Sequence, residues 1–537
     1  MVASGLLILT QPLTVLRGQI PSLLQRVSQL VSDTLYVHLQ PIKTTNSSTK
    51  FLIAPVPVTS EVRRVVRDIY SVGATVCRQL DIRVLLSHIT NQDLKLATCA
   101  LHKGYSLVIL DNSPTSTELF KDRGFLLEQV KSLFLTEADV DCHILDQQTS
   151  PTSSSGTSDD DPVLTTYKNV VLGGTFDRLH VGHKILLSEG CMIANNKLTI
   201  GISDGKMNDK KVVGELMEPL AVRTAAVEEF IKDIKPTIVP DAVTIYDVYG
   251  PTITEPDFQC IVLSDETQKG GAIINTEREK RGMNKLGQVV IDLVADDSHT
   301  PDEEEKVSSS SLRKRLLGTL LKPVVNSNLP KSPYRIGLTG GTASGKSSIC
   351  RRLEGLGAGV VDCDKLGHEA YKPGTPAYDK IKQTFGDGIV GSDGEINRKK
   401  LGGIVFSDRS KLDELNKIVW PEIMKLAEAE ISEFEKSGKE VVILDAAVLL
   451  EAGWDSRVHE VWSTFVPRIE ATKRLMERNS LSEEEAVKRL DAQLTNQERL
   501  AHANVTLCTL WEYDQTQKQC EKAWKLLQER INKGAKL

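Results

Sequence analysis

A chain of 537 residues, 40% apolar and 26% charged, has the composition of an ordinary folded protein and is too long for one core, so about three to four domains are expected. Its net charge of −6 supplies no basic field, which argues against a nucleic-acid partner and leaves phosphates to be held by local sites. Nine scattered cysteines without a CxxC pair argue against a disulfide framework and against structural zinc, and imply a reducing compartment.

No acid precedes Asp33, and Arg17 and Arg26 are the early basic residues. From Pro21, the apolar residues Leu23, Leu24, Val27, Leu30 and Val31 fall on one helical face. Thr10, Gln11 and Pro12 interrupt the first apolar run, so no stretch reaches the ~18 residues of a membrane span. The lack of a basic residue at the very start argues against a secretory signal. An acid-poor amphipathic start is compatible with peripheral membrane association and a cytoplasmic and/or mitochondrial location. The first strand and helix of a folded domain explain the same pattern equally well.

Residues 1–146 read as an N-terminal mixed α/β domain. Val62, Val65, Val66, Ile69 and Tyr70 make a helical stripe, while Ile82 to Leu86 and Tyr105 to Leu110 read as strands. None of these residues carries identifiable chemistry. Residues 147–164, rich in Ser, Thr, Pro and Asp, have little to bury and read as a disordered linker.

Residues 165–325 alternate strand and helix patterns, with strands at Leu198 to Ile202, Ala242 to Tyr246 and Cys260 to Leu263 and a helix at Val222 to Ile231. This predicts a parallel sheet covered by helices, with ligands at the carboxyl ends of the strands. The apolar run Val170 to Leu172 delivers Gly173, Gly174, Thr175 and Phe176, then His180 and His183 at the start of an amphipathic run. Glycines let backbone approach a phosphate, a helix N-terminus attracts an anion, and two histidines three apart share one face. As separate pieces these are a tight turn and two surface histidines; together in one window they point to nucleotide handling. No cysteine or carboxylate cluster accompanies the histidines at metal-ligand spacing. Further on, Ser308 to Ser311 precede Leu312, Arg313, Leu316, Leu317 and Leu320, placing Ser309, Ser310 and Ser311 at a helix start where they can present hydroxyls and N–H groups to a triphosphate.

The Gly173 to His183 motif resembles the HxGH nucleotidyltransferase superfamily, which implies a Rossmann-like domain in which His180 and His183 stabilise charge on an α-phosphate. With Ser309, Ser310, Ser311 and Arg313 it is similar to the phosphopantetheine adenylyltransferase branch of archaea and eukaryotes, as are Asp247 to Pro251, Ser264 to Thr267, Gly270 and Asn275 to Arg278. The Arg-Thr-x-Gly-Ile-Ser-Thr element of cytidylyltransferases is lacking. The resemblance implies a substrate-binding lysine among Lys206, Lys210 and Lys211, of which Lys206, after Ser203 to Gly205, is favoured.

Residues 333–537 open on a strand leading into Gly340, Gly341, Thr342, Ala343, Ser344, Gly345, Lys346 and Ser347, then a helix with Ile349, Leu353 and Leu356 inward. That context marks a true P-loop: backbone N–H groups wrap the β-phosphate, Lys346 reaches the β/γ oxygens and the Ser347 hydroxyl ligates Mg²⁺. Asp362 and Asp364 end the next strand, where extended backbone turns both the same way, and one of them can take a hydroxyl proton. A strand ends at Asp445, Arg474 to Arg478 form a basic helical stretch, and Ser482 with Glu485 makes a capping box for a helix running to Gln493. Two helices joined by a polar turn suit a lid over ATP. The block resembles dephospho-coenzyme A kinase through the P-loop, Asp362-x-Asp364, Ile396 to Arg398, the Asp445 strand and Arg478 to Gln493. It departs from that family at Trp420-Pro421 and at Ala446 to Val448. The resemblance implies Asp364 as base, Arg478 as lid arginine, and Asp362 and Arg398 as substrate-binding residues.

The two resemblances in this order look like the bifunctional coenzyme A synthase family. They imply ATP as co-substrate at both sites, Mg²⁺, and 4′-phosphopantetheine and dephospho-coenzyme A as small-molecule substrates. Two other readings compete: a pyridine-nucleotide or cytidylyl transferase fused to a nucleoside-type kinase, and a protein that binds nucleotide without chemistry. The serine-rich element speaks against the first, and the retained histidines, P-loop lysine and carboxylates against the second. Oligomeric state is not encoded in any motif.

Overall fold

The computed structural model of the chain describes residues 1–41, 55–92, 98–136, 138–146, 161–324, 329–405 and 407–534. Two compact units emerge: Met1–Val212 with Met217–Leu312, and Val213–Leu216 with Arg313–Leu537.

The first unit contains two five-stranded sheets, each wholly parallel. The N-terminal sheet is built from Val2–Leu9, Val31–Leu39, Asp81–Leu85, Leu107–Leu110 and Asp141–Ile144. Counted along the chain, its strands lie in the spatial order third, second, first, fourth, fifth. Leu6 to Leu9 are all buried, as a central parallel strand covered on both faces requires. The helix Ser60–Val76 starts at Thr59, whose hydroxyl accepts from the Val62 N–H, and buries Val62, Val65, Val66, Ile69 and Tyr70. Each such side chain withdrawn from water contributes about 1.5–3 kcal/mol.

The start of the chain follows the second of its two readings, the first strand and helix of a folded domain, and part of the linker expectation changes. The amphipathic start is not a free helix from Pro21: Val2–Leu9 is a strand, and Leu13–Val27 is a helix with Pro21 inside it. Leu16, Ile20, Leu23, Leu24 and Val27 are buried in the domain's own core, and Val31 opens the next strand, so the apolar face is not available to a membrane. Among the described residues no helix is long and apolar enough to cross one. Of the expected disordered linker, residues 147–160 lie outside the described residues, whereas 161–164 are ordered. The Asp161 carboxylate accepts from the Glu61 N–H at 2.7 Å, and Leu164 N–H donates to the Val58 carbonyl at 2.8 Å; backbone partners outweigh the composition.

The second sheet of this unit joins Tyr167–Gly174, Ala194–Ser203, Val239–Ile245, Cys260–Ser264 and Gly287–Ile291, again in the order third, second, first, fourth, fifth. The order reverses beside the first strand, so the crevice at its carboxyl end is the natural ligand site. The serine-led helix spans Ser309–Leu316, shorter than the leucine spacing predicts. Gly318 at φ 75° ends the helical path, leaving Leu317 and Leu320 beyond the helix.

In the second unit, five parallel strands lie in the order second, third, first, fourth, fifth, with Tyr334–Gly340 central. Ile336, Leu338, Ile349, Leu353, Val441, Ile443 and Trp462 share one core cluster under the loop after Gly340. Helices Arg468–Asn479 and Glu483–Asp491 follow the fourth strand, the latter started by the Ser482/Glu485 capping box. It stops at Asp491, before Gln493.

Candidate active sites

In the first unit, Phe176 and Arg178 adopt left-handed backbone, φ 49° and 58°. The chain therefore turns sharply after Gly174 and places His180 at the N-cap of helix Val181–Ile193. A Cβ on Gly174 would come within 3.2 Å of the Phe176 ring, so a side chain there would crowd the turn. The rings of His180 and His183 stack with centroids 3.8 Å apart, and Phe176 lies 5.0 Å from His183. Burial first, then the charges of His180 and Lys211, hold His183 well below the ordinary imidazole range. Its buried Nδ1 has no hydrogen-bond partner among the described residues, the kind of unmet polar atom a bound ligand satisfies.

The serine helix comes to this loop: the Ser309 hydroxyl donates to the Asp177 carbonyl at 3.1 Å. Ser311, buried, has its N–H on the Ser308 hydroxyl at 3.1 Å; Ser310 lies between them in the first turn. Arg313, fully buried, falls in the second unit. Of the three candidate lysines, Lys206 is exposed in a short turn at Gly205–Met207, and Lys211 is the one whose charge acts on His183. Arg223 escapes sequence reasoning. Buried in helix Leu220–Ile234, it donates to the Thr175 carbonyl at 2.8 Å, the Ser203 carbonyl at 2.9 Å and the Glu218 carbonyl at 2.9 Å. It thus ties the motif loop to the end of the neighbouring strand; its signal was an arginine on an otherwise apolar helix face. Asn275 and Arg278 are structural: Asn275 brackets the Leu286 backbone, and Arg278 binds the carbonyls of Asn284, Glu255 and Pro256.

In the second unit the loop from Gly340 to Ser347 links the central strand to helix Lys346–Gly355. A Cβ at Gly340 would sit 2.2 Å from the Thr464 hydroxyl, and Gly345 has φ 83°. Ala343 also takes left-handed backbone at φ 66°. The loop is braced from outside. Thr342 N–H donates to Gln493 Oε1 at 2.9 Å, Ser344 Oγ meets Thr464 Oγ1 at 2.8 Å, and Thr509 Oγ1 donates to the Ser344 carbonyl at 2.8 Å. Lys346 Nζ donates to Asp364 at 3.2 Å and also to Asp445. Burial opposes the charge on Lys346, but Asp445 and then Asp364 outweigh it and raise its pKa. Ser347 is exposed at the helix start.

One placement differs from the sequence reading. Asp362 and Asp364 do not share an extended strand: the strand ends at Asp362, which caps helix Cys363–Glu369 by accepting from the Lys365 N–H at 2.9 Å, and Asp364 lies in the first helical turn. Arg478 is exposed and donates to its neighbour Asn479. Arg474, one helical turn earlier, reaches the loop. It donates to the Ala343 carbonyl at 3.3 Å, Thr509 Oγ1 at 2.9 Å and the Thr509 carbonyl at 2.7 Å. Arg398, opening helix Arg398–Val405, is exposed. Asp445 and Arg499 complete the constellation; Arg499 is buried and donates to Thr339 Oγ1 at 3.1 Å and to the Ala447 carbonyl.

A parallel α/β site with a glycine turn and paired histidines, and a P-loop with lid helices, define a phosphate-transferring enzyme. Three family models match the chain: COASY N-terminal domain over residues 3–107, cytidylyltransferase-like over 171–315, and dephospho-CoA kinase over 334–509. The dephospho-CoA kinase of Geobacter sulfurreducens is 44% identical over 189 residues, covering 35% of this chain and 96% of that protein. That of Carboxydothermus hydrogenoformans is 43% identical over 184 residues, covering 34% and 89%. The solved dephospho-CoA kinase from Campylobacter jejuni is 25% identical, covers 37% of this chain and 98% of its own, and has a TM-score of 0.30. The chain belongs, through its C-terminal part, to the dephospho-CoA kinase family.

Proposed function

We infer that the chain is a bifunctional transferase for the last two steps of coenzyme A biosynthesis. The first site transfers adenylate from ATP to 4′-phosphopantetheine, giving dephospho-CoA and pyrophosphate. The second phosphorylates the ribose 3′-hydroxyl of dephospho-CoA with ATP, giving CoA. The observation that carries this is the succession on one chain of the stacked His180/His183 turn and a P-loop within a dephospho-CoA kinase match.

At the first site, His180 and His183 at a helix N-terminus stabilise charge on the α-phosphate, with Ser309 at the same loop. Lys211, whose charge already acts on His183, joins Lys206 as a candidate for the substrate phosphate. At the second, Lys346 offsets phosphate charge and Arg474 holds the loop. Asp364 is the base, because Asp362 already accepts a backbone N–H as a cap. The Ser347 hydroxyl, exposed at the helix start, is a hard oxygen of the kind Mg²⁺ takes beside nucleotide phosphates; when bound, the ion would neutralise developing charge. Nine free, buried cysteines support a reducing compartment, cytoplasmic and/or mitochondrial, which fractionation of tagged protein tests.

The purified chain given 4′-phosphopantetheine and ATP should yield pyrophosphate, dephospho-CoA and then CoA by chromatography. Failure to form dephospho-CoA, with kinase activity on added dephospho-CoA intact, would remove the first half of the reading and keep the second.

A further inference from the structure

We propose that the N-terminal domain is a second, catalytically silent copy of the nucleotidyltransferase fold, and that it positions the helix carrying His183 through an ion pair between Asp81 and Lys184. This goes beyond the two activities but rests on the adenylyl-transfer reading of the His180/His183 site.

The two sheets of the first unit share one topology: five parallel strands in the order third, second, first, fourth, fifth. The connections correspond as well. Helix Leu13–Val27 follows the first strand of one sheet as Val181–Ile193 follows that of the other, and Ser60–Val76 follows the second strand as Leu220–Ile234 does. The difference lies at the ligand crevice. Between first strand and helix the second copy has residues 175–180, ending in His180, whereas the first has only residues 10–12, Thr10, Gln11 and Pro12, with no glycine and no histidine.

The anion position of the first copy is already filled from within. Asp111, fully buried beyond the fourth strand, accepts the N–H groups of Thr10 at 2.7 Å and Gln11 at 3.1 Å and the Thr10 hydroxyl at 2.8 Å, and Ser116 donates to it too. A carboxylate thus takes the backbone donors that a phosphate takes at an open site of this kind. Among the described residues, the donors of Thr10 and Gln11 are thus satisfied by the chain itself.

What it does instead is visible on helix Val181–Ile193. Everything from Ile185 to Ile193 is buried, because this helix lies against its own sheet on one side and against helix Ser60–Val76 on the other, in one continuous hydrophobic cluster. Polar latches fix its position along and about its axis. Lys184, adjacent to His183, donates to Asp81 and to the Ile82 carbonyl at 3.3 Å. Ser188 meets Tyr70 Oη at 3.2 Å, and Glu189 pairs with Arg63 at 2.8 Å. Arg83 then ties Asp81, at 2.8 Å, to Glu229 at 2.8 Å on the next helix. Asp81 and Lys184 are positioning residues: neither belongs to the histidine turn, but they set the orientation of the first helical turn, where displacements of about 1 Å cost up to ~10²-fold in rate.

The test is a double-mutant cycle in the full-length protein, with Asp81→Asn, Lys184→Met and the pair. Adenylyl transfer from ATP to 4′-phosphopantetheine, kinase turnover of added dephospho-CoA and thermal unfolding are followed together. Each single variant should lose about tenfold in adenylyl kcat with the KM for ATP within about twofold. The double variant should lose no more than the worse single, because the Asp81–Lys184 contact is the one both substitutions break. Asp81→Glu should keep most of the activity, and kinase turnover should not change. Losses that add, or single variants with near-normal adenylyl kcat, overturn the proposal. An inactive wild-type first site overturns the adenylyl-transfer reading instead.

Discussion

The guanidinium of Arg474 donates to the carbonyl oxygen of Ala343, a loop residue held in left-handed backbone at φ 66°. Holding a non-glycine residue there costs about 1–3 kcal/mol and persists only when neighbours over-determine it. Arg474, bound also to the hydroxyl and the carbonyl of Thr509, is one such neighbour. Arg474→Ala should lower kinase kcat/KM for ATP roughly 10²-fold, whereas Arg478→Ala, whose partner is the adjacent Asn479, should cost several-fold at most. Equal losses would restore Arg478 as the arginine that acts on the phosphates of bound ATP.

The two aspartates after Val361 divide into a cap and a base. Asp364→Asn removes a basic lone pair while keeping size, so kinase turnover should fall ~10²–10⁴-fold with ATP affinity little changed. Asp362→Ala should instead cost about 1 kcal/mol of stability through the lost helix cap, readable as a lowered Tm. If Asp362→Asn abolishes turnover and Asp364→Asn spares it, the roles are exchanged.

His183→Ala should depress adenylyl transfer ~10²–10³-fold and leave kinase turnover of added dephospho-CoA near normal, since the kinase site is built entirely from the second unit. Because the imidazole is held well below its ordinary value, His183 is neutral at neutral pH in the free enzyme. Its step in the pH profile of adenylyl kcat/KM should therefore fall below about 6.5. A step near 7 that vanishes in His183→Gln would contradict that environment.

His88 lies buried in the N-terminal domain with its pKa pushed down to about 4, first by burial and then by the nearby charge of Lys235. A base whose folded-state pKa is depressed stays neutral in the native state while the unfolded chain binds a proton. Stability is therefore undiminished above the unfolded value of about 6.5 and falls as pH drops towards 4, by about 3 kcal/mol at the lower end. His38, its ring tilted against that of His88 with centroids 4.1 Å apart and its pKa shifted the same way, adds to the slope. Unfolding followed by a probe in the first unit should show this slope between pH 6.5 and 4, and His88→Gln should flatten it.

Much of this protein was legible because its chemistry is local in sequence. The glycine turn with His180 and His183, the P-loop through Ser347, the Ser482/Glu485 box and the stripe from Val62 to Tyr70 are each fixed by spacing within one or two turns of chain, where backbone sterics and helical period dictate the outcome. Contacts distant along the chain were not legible. Nothing near Lys346 announces that Asp445 will hold it, and Arg474 was not separable from Arg478 until the helix had a fixed rotation against the loop. Asp362 and Asp364 parted because the strand gave way to a helix between them, a boundary that apolar patterning does not resolve. The two readings of the amphipathic start could not be separated for a related reason: an apolar face looks the same whether it meets a membrane or its own sheet, and the burial of Leu16, Ile20, Leu23, Leu24 and Val27 is decided by tertiary packing. So too the shared topology of the two sheets in the first unit, since strand order depends on which edges pair across the fold and leaves no trace in the period of any single strand.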